Sequence, residues 1–255
     1  MEQKIYVVGV GMSRFYKPKK SPEYPEIGVQ AARRALNDAG IDYSKIGSAA
    51  VGYIYSDSTA GQKVLYELGM TGIPIVNVNN NCATGSTALY LARQAILSGM
   101  TDCALALGFE TMKPGSIPII FPEQPLPYSR HYEEMLQLHK PSKAPGAPQM
   151  FGNAGREHME RYGTKPIHFA KIAEKNHRHS TNNPYSQFQD LYTLEQINKS
   201  PEVYFPLTKL QCCPTSCGAA AAVVCNEKFM LANGLQDQAI EIVGISLKTD
   251  PVKTF

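Results

Sequence analysis

The chain has 255 residues, 43% of them hydrophobic, which is enough apolar material for one large domain or two modest ones. A formal net charge of +3, spread along the chain, is too weak to mark a nucleic-acid surface, though it tolerates an anionic small molecule. No apolar run is long enough to span a bilayer, the first residues lack a secretory pattern, and six cysteines in a chain this long do not make a disulfide framework, so a soluble intracellular protein is expected.

In chain order, "KIYVVGVG" (4–11) is a β-rich run closed by glycine and predicts a buried strand. Residues 26–39 predict a helix with Ile27, Ala31, Ala32, Ala35 and Ala39 on one face and Gly40 as its C-terminal cap. Residues 48–56 read as a second strand, 61–70 as a short helix and 73–80 as a third strand. After Cys82 the positions Ala88, Leu91, Ala92, Ala95 and Ile96 recur at helical spacing until Gly99, and 102–110 reads as a fourth strand. This alternation predicts an α/β domain with a largely parallel sheet. From 111 to about 148 prolines are frequent and periodicity is poor, which predicts an irregular excursion. Helices are expected again at 152–162, 166–177 and 194–198, the last with Thr193 and Gln196 spaced as a capping box. Residues 218–227 and 238–247 read as closing strands. The expected organisation is one domain with a core of 1–110 and 205–255 and an insertion of 111–204.

The segment "NVNNNCATGSTALYLARQAI" (77–96) places Cys82 where a strand turns into a helix. Unpaired backbone N–H groups and the macrodipole at a helix start favour a thiolate, and the same N–H groups can hold an oxyanion on an attacked carbonyl. Gly85 lets backbone and ligand come close, while Ser86 and Thr87 can meet local hydrogen-bond needs. Acyl or thioester transfer fits this placement. A small buried cysteine at a strand–helix junction fits it too, and spacing leaves both readings open.

Several stretches carry a family resemblance: "VVGVGMSRF", "LGMTGIPIVNVNNNCATGS", "LALGFETM", "APQMFGNAGREHMERYGTK", "HFAKIAEKNHRHSTNNPYSQFQD" and "LQCCPTSCGAAAAVV". In content and order they resemble the thiolase domain of the sterol carrier protein X type, a family of peroxisomal 3-oxoacyl-CoA thiolases, over essentially the whole chain. The resemblance implies a thiolase-like fold, its N-terminal βαβαβαββ half with an irregular and helical loop-domain insertion. It implies that Cys82 is the residue acylated, that CoA is a substrate with no resident cofactor, and that the protein is a peroxisomal homodimer. Met150, Phe151 and Gly152 then correspond to the wall of the pantetheine and acyl channel, although an ordinary buried helix face explains each of them as well. Lys140 and Lys143 could meet CoA phosphates. The family's second-half motifs, His-Asp-Cys-Phe, Gly-His-Pro and Cys-x-Gly, do not occur in the sequence. A chain that binds acyl-CoA or a partner without turnover, with an apolar layer left open to association, is therefore the alternative expectation.

Other residues suggest less. Cys212, Cys213 and Cys217 lack the paired spacing of a zinc site, so no metal is expected. Cys217 stands where thiolases usually carry an aspartate before the Gly-Ala-Ala-Ala run. His168, His177 and His179 lie in a basic region where solvation is the default.

Overall fold

The computed structural model describes residues 3–115, 119, 121–139 and 142–250. In chain order come β1 (Ile5–Met12), α1 (Tyr24–Ala39), β2 (Ser48–Gly52), α2 (Ala60–Leu65), β3 (Ile75–Val78), α3 (Thr84–Leu97) and β4 (Cys103–Glu110). There follow α4 (Ser129–Leu138), α5 (Gly146–Tyr162), α6 (Pro166–Ser180), α7 (Leu194–Lys199), β5 (Glu202–Tyr204) and β6 (Leu207–Thr208). The chain then adds β7 (Gly218–Asn226), α8 (Glu227–Ala232) and β8 (Ile240–Glu241). They form two compact units. The first runs to Pro114 and resumes over Ser216–Lys248, and the second takes Gly115–Thr215 and the chain from Thr249. The boundary expected at 205 falls inside the β5–β6 hairpin, whose Glu202↔Thr208 and Tyr204↔Leu207 pairs join its two sides.

The first unit is built on a six-stranded sheet of order β3-β2-β4-β7-β1-β8. β2 is parallel to β3 and to β4, whereas β7 is antiparallel to both β4 and β1, and β8 is antiparallel to β1. The expected largely parallel sheet is thus a mixed one. Strands β1 to β4 are linked by helical crossovers, which force one direction. β7 is not reached by such a crossover and fills the slot between β4 and β1 the other way round.

One face of the sheet lies under α1. This helix starts with proline in its first turn and ends at Gly40, whose φ of 67° is the left-handed cap a glycine adopts without strain. Its buried stripe, Ile27, Ala31, Ala32, Ala35, Leu36 and Ala39, contains the face read from the sequence. Alanines let the helix lie close, and glycines beneath complete the fit: a Cβ added at Gly9 or Gly11 would run into the α1 backbone at Ala35. Val8, Leu105, Leu107, Val223 and Cys225 seal this core. α3 covers the other face, where Ala88, Ala92 and Ile96 pack on Ile5, Ala50, Ala104, Ala106 and Val224.

Three local expectations are corrected. The strand expected over 48–56 ends at Gly52, because the Ile54 and Tyr55 N–H groups leave the sheet and donate to the Glu110 carboxylate at 2.9 and 3.3 Å. The strand expected over 238–247 is only Ile240–Glu241, paired with Val7 and Tyr6. Side chains serve the β1 edge beyond it: Val10 N–H donates to Asp38 Oδ2 at 2.8 Å, and the Gln238 amide donates to the Val8 carbonyl at 2.5 Å. The stretch expected to be irregular contains α4, which occupies the proline-free interval between Pro127 and Pro141.

In the second unit α6 packs on α7 through Ala170, Ala173 and Ile197. Thr193 and Gln196 form the capping box that their spacing predicts. Among the described residues no helix is long and apolar enough to cross a membrane.

Candidate active site

β3 delivers the chain to Asn79, Asn80 and Asn81. Asn81 N–H donates to Asn79 Oδ1 at 3.2 Å, and Asn81 takes φ +49°, a left-handed conformation that asparagine tolerates better than most residues. Cys82 follows at once, exposed and with a free thiol. α3 begins two residues later. Its cap position, Ala83, has no side chain able to close the helix, and no cap bond is made. Thr84 N–H and Ala83 N–H donate to the carbonyls of Asn81 and Asn80, both at 3.1 Å. Among the described residues the N–H groups of Cys82, Gly85 and Ser86 find no acceptor. Open amides at a helix start are what an incoming anion or oxyanion requires.

Cys82 lines a cavity of about 550 Å³ built wholly from the first unit. Phe15 and Leu89 make it apolar, and Ala220 and Ala222 keep it open by being small. Such a space suits an acyl chain better than a charged ligand.

The carboxylate lining this cavity belongs to Glu110. It accepts from Thr111 N–H at 3.0 Å as well as from Ile54 and Tyr55. Burial pushes its carboxyl above the usual range, and these backbone bonds oppose that shift without cancelling it. The sequence reading did not single out Glu110. The available signal was one charged residue closing an otherwise uncharged strand, "CALALGFE".

The other candidates lie elsewhere. Met150, Phe151 and Gly152 sit on α5 in the second unit, half-buried, 71% exposed and buried respectively. A Cβ on Gly152 would stand 2.5 Å from the Tyr204 ring, so close packing accounts for that glycine. All six histidines fall between positions 131 and 179, in the second unit, and the first unit has none. His177 bonds the Leu210 carbonyl through Nε2 at 2.9 Å and meets Tyr192 edge-on, a packing role. Cys217 is buried with its thiol 3.5 Å from the Met112 carbonyl, while Cys212 is half-buried and Cys213 exposed. Among the described residues no group of three or more His, Cys, Asp or Glu is placed to hold a metal ion. Lys143 is exposed, and Lys140 lies outside the described residues.

Sterol carrier protein 2 of Gallus gallus is 54% identical over 257 residues, covering all of this chain and 47% of that protein. The chain spans about half the length of the sterol carrier proteins it matches. Among solved structures, the Ltp2-ChsH2(DUF35) aldolase superposes with TM-score 0.70 at 21% identity, over 88% of this chain and 56% of that one. Human mitochondrial 3-ketoacyl-CoA thiolase in complex with CoA gives TM-score 0.66 at 16% identity, over 91% and 67%. At those identities the likeness establishes the thiolase-like fold. The family model described as "Thiolase, N-terminal domain" matches residues 5–228, and the chain belongs to the thiolase family.

Proposed function

We propose that this chain carries the nucleophile of a 3-oxoacyl-CoA thiolase and that Cys82 is the residue acylated. The Cys82 sulfur attacks the 3-keto carbonyl of a 3-oxoacyl-CoA. The C2–C3 bond then breaks, its electron pair leaves on C2 as the enolate of the departing acyl-CoA, and that carbon takes up a proton. The shortened acyl group remains on sulfur until the thiolate of free CoA attacks it and releases Cys82. CoA is thus a substrate and not a resident cofactor. The observation that carries this reading is the exposed Cys82 thiol on a left-handed turn, ahead of open helix amides and beside an apolar cavity. A peroxisomal homodimer is the setting proposed for it, on the strength of the family. The test is incubation with an isotopically labelled 3-oxoacyl-CoA followed by mass spectrometry. A labelled adduct on Cys82 that Cys82→Ser abolishes is expected; an unlabelled Cys82, even with the complementary part of a thiolase supplied, removes the assignment.

A second reading has its own observation. The first unit holds the cavity but contains no histidine to act as base. The chain then binds acyl-CoA, or pairs with a complete thiolase, without turning over. Calorimetry with CoA beside a turnover assay separates the two, since binding without product supports the second.

A further inference from the structure

We propose that Thr84 is a positioning residue for Cys82, holding the sulfur-bearing turn in its left-handed form through hydrogen bonds to the residues just before it. This rests on the reading of Cys82 as the acylated group. Thr84 Oγ1 donates to the Asn81 carbonyl at 2.5 Å and accepts from Asn80 N–H at 2.8 Å. One turn further along α3, Thr87 Oγ1 donates to the Ala83 carbonyl at 2.9 Å and accepts from the Asn80 side-chain amide at 3.0 Å. Asn80, Asn81 and Ala83 are thereby tied down on both sides of Cys82. Thr84 and Thr87 are 5% and 8% exposed, whereas Cys82 is open to solvent.

These bonds do not serve the helix. A capping hydroxyl accepts from an N–H two or three residues ahead of it. The Thr84 hydroxyl points backward instead, to a carbonyl and an N–H that precede Cys82, and the helix amides stay open. Thr84 is also seated by shape. A Cβ added at Gly52 would stand 2.6 Å from Thr84 Cγ2 and 2.7 Å from its carbonyl oxygen, and one at Gly108 would stand 3.3 Å from Gly85 Cα. Two glycines on adjacent parallel strands therefore let the first turn of α3 settle onto the sheet. The sheet fixes Thr84, Thr84 fixes Asn81, and Asn81 aims Cys82. Asparagine can relax out of the left-handed region when nothing holds it there, and the sulfur would then swing away from the open amides.

The test reads the sulfur directly. The whole chain is treated with iodoacetamide, and mass spectrometry follows the labelling rate of Cys82 relative to exposed Cys213 in the same molecule. Thr84→Val keeps the shape and removes the hydroxyl; Thr84→Ser keeps the hydroxyl. Valine is expected to lower the Cys82:Cys213 ratio about fivefold or more, as befits two lost hydrogen bonds, while serine stays within about twofold of the unaltered chain. Gly52→Ala, which removes no hydrogen-bonding group but pushes on Thr84, is expected to act as valine does. An unchanged or raised ratio in Thr84→Val overturns the proposal, and so does a serine variant as slow as valine. Should the valine variant not fold by circular dichroism, Gly52→Ala labelled at the unaltered ratio overturns it equally. Loss of the acyl adduct in the unaltered chain would remove the thiolase reading while leaving these ratios readable. An intact adduct with equal ratios would remove only the role of Thr84.

Discussion

On the sheet face beneath α1, Leu105 and Val223 are fully buried, Leu107 is 1% exposed, and the helix rests on strand glycines. On the face beneath α3 the same sheet carries Val10, 58% exposed, Ile240, 69% exposed, and Ala220, open to solvent. α3 packs over β2 and β4 and reaches β7 and β1 less. The closed face supplies the packing that holds the unit together. The open face supplies access, and it is where Cys82 and its cavity lie. A nucleophile must be reached by its substrate, so the part of the sheet that does chemistry is necessarily the part that packs less completely.

Cys82→Ser is expected to eliminate the acyl adduct while changing stability by less than about 0.5 kcal/mol, as for any exposed side chain away from packing, measured by urea unfolding beside mass spectrometry. On the closed side, Leu107→Ala is expected to cost about 2–5 kcal/mol in the same unfolding experiment. Val10→Ser on the open face should cost under about 0.5 kcal/mol, and equal losses at the two positions would erase the distinction. Gly11→Ala forces a methyl into the α1 backbone and is expected to cost about 1–3 kcal/mol.

The smallest effects concern pH. Burial raises the Glu110 carboxyl from an ordinary value of 4.5. A raised carboxyl contributes its stability in full below the unfolded value, and that contribution is lost as pH rises through the folded value. Hydrogen bonds from Asn226 and then Lys228 lower the Asp102 carboxyl instead, so its contribution is present above about pH 4 and is lost as pH falls. Glu110→Gln should therefore flatten the decline of melting temperature on the upper side of pH 4.5, and Asp102→Asn the decline on the acid side. A Glu110→Gln profile parallel to that of the unaltered chain would show that this carboxyl titrates alike folded and unfolded.

Much of this was legible in the residue order. The stripe of Ile27, Ala31, Ala32, Ala35 and Ala39 is buried as its spacing predicts, because helical periodicity is local. Gly40 caps the helix, and Thr193 with Gln196 boxes another, for the same reason. Glu110 was less legible, since its three donors come from its own neighbour and from a loop more than fifty residues earlier. Thr84 reads as an ordinary first-turn residue until its hydroxyl is seen to bond backward.

The sequence determined where β1, α1, α3 and β4 lie, that Cys82 stands at a helix start, and that the chain resembles thiolases, because each depends on neighbours a few residues apart. Only the tertiary structure decided that β7 runs antiparallel between β4 and β1, that β8 stops after two residues, and that Glu110 and Cys82 line one cavity. Those outcomes depend on which distant strand edge offers a partner and which small residues leave room, and neither is encoded in local spacing.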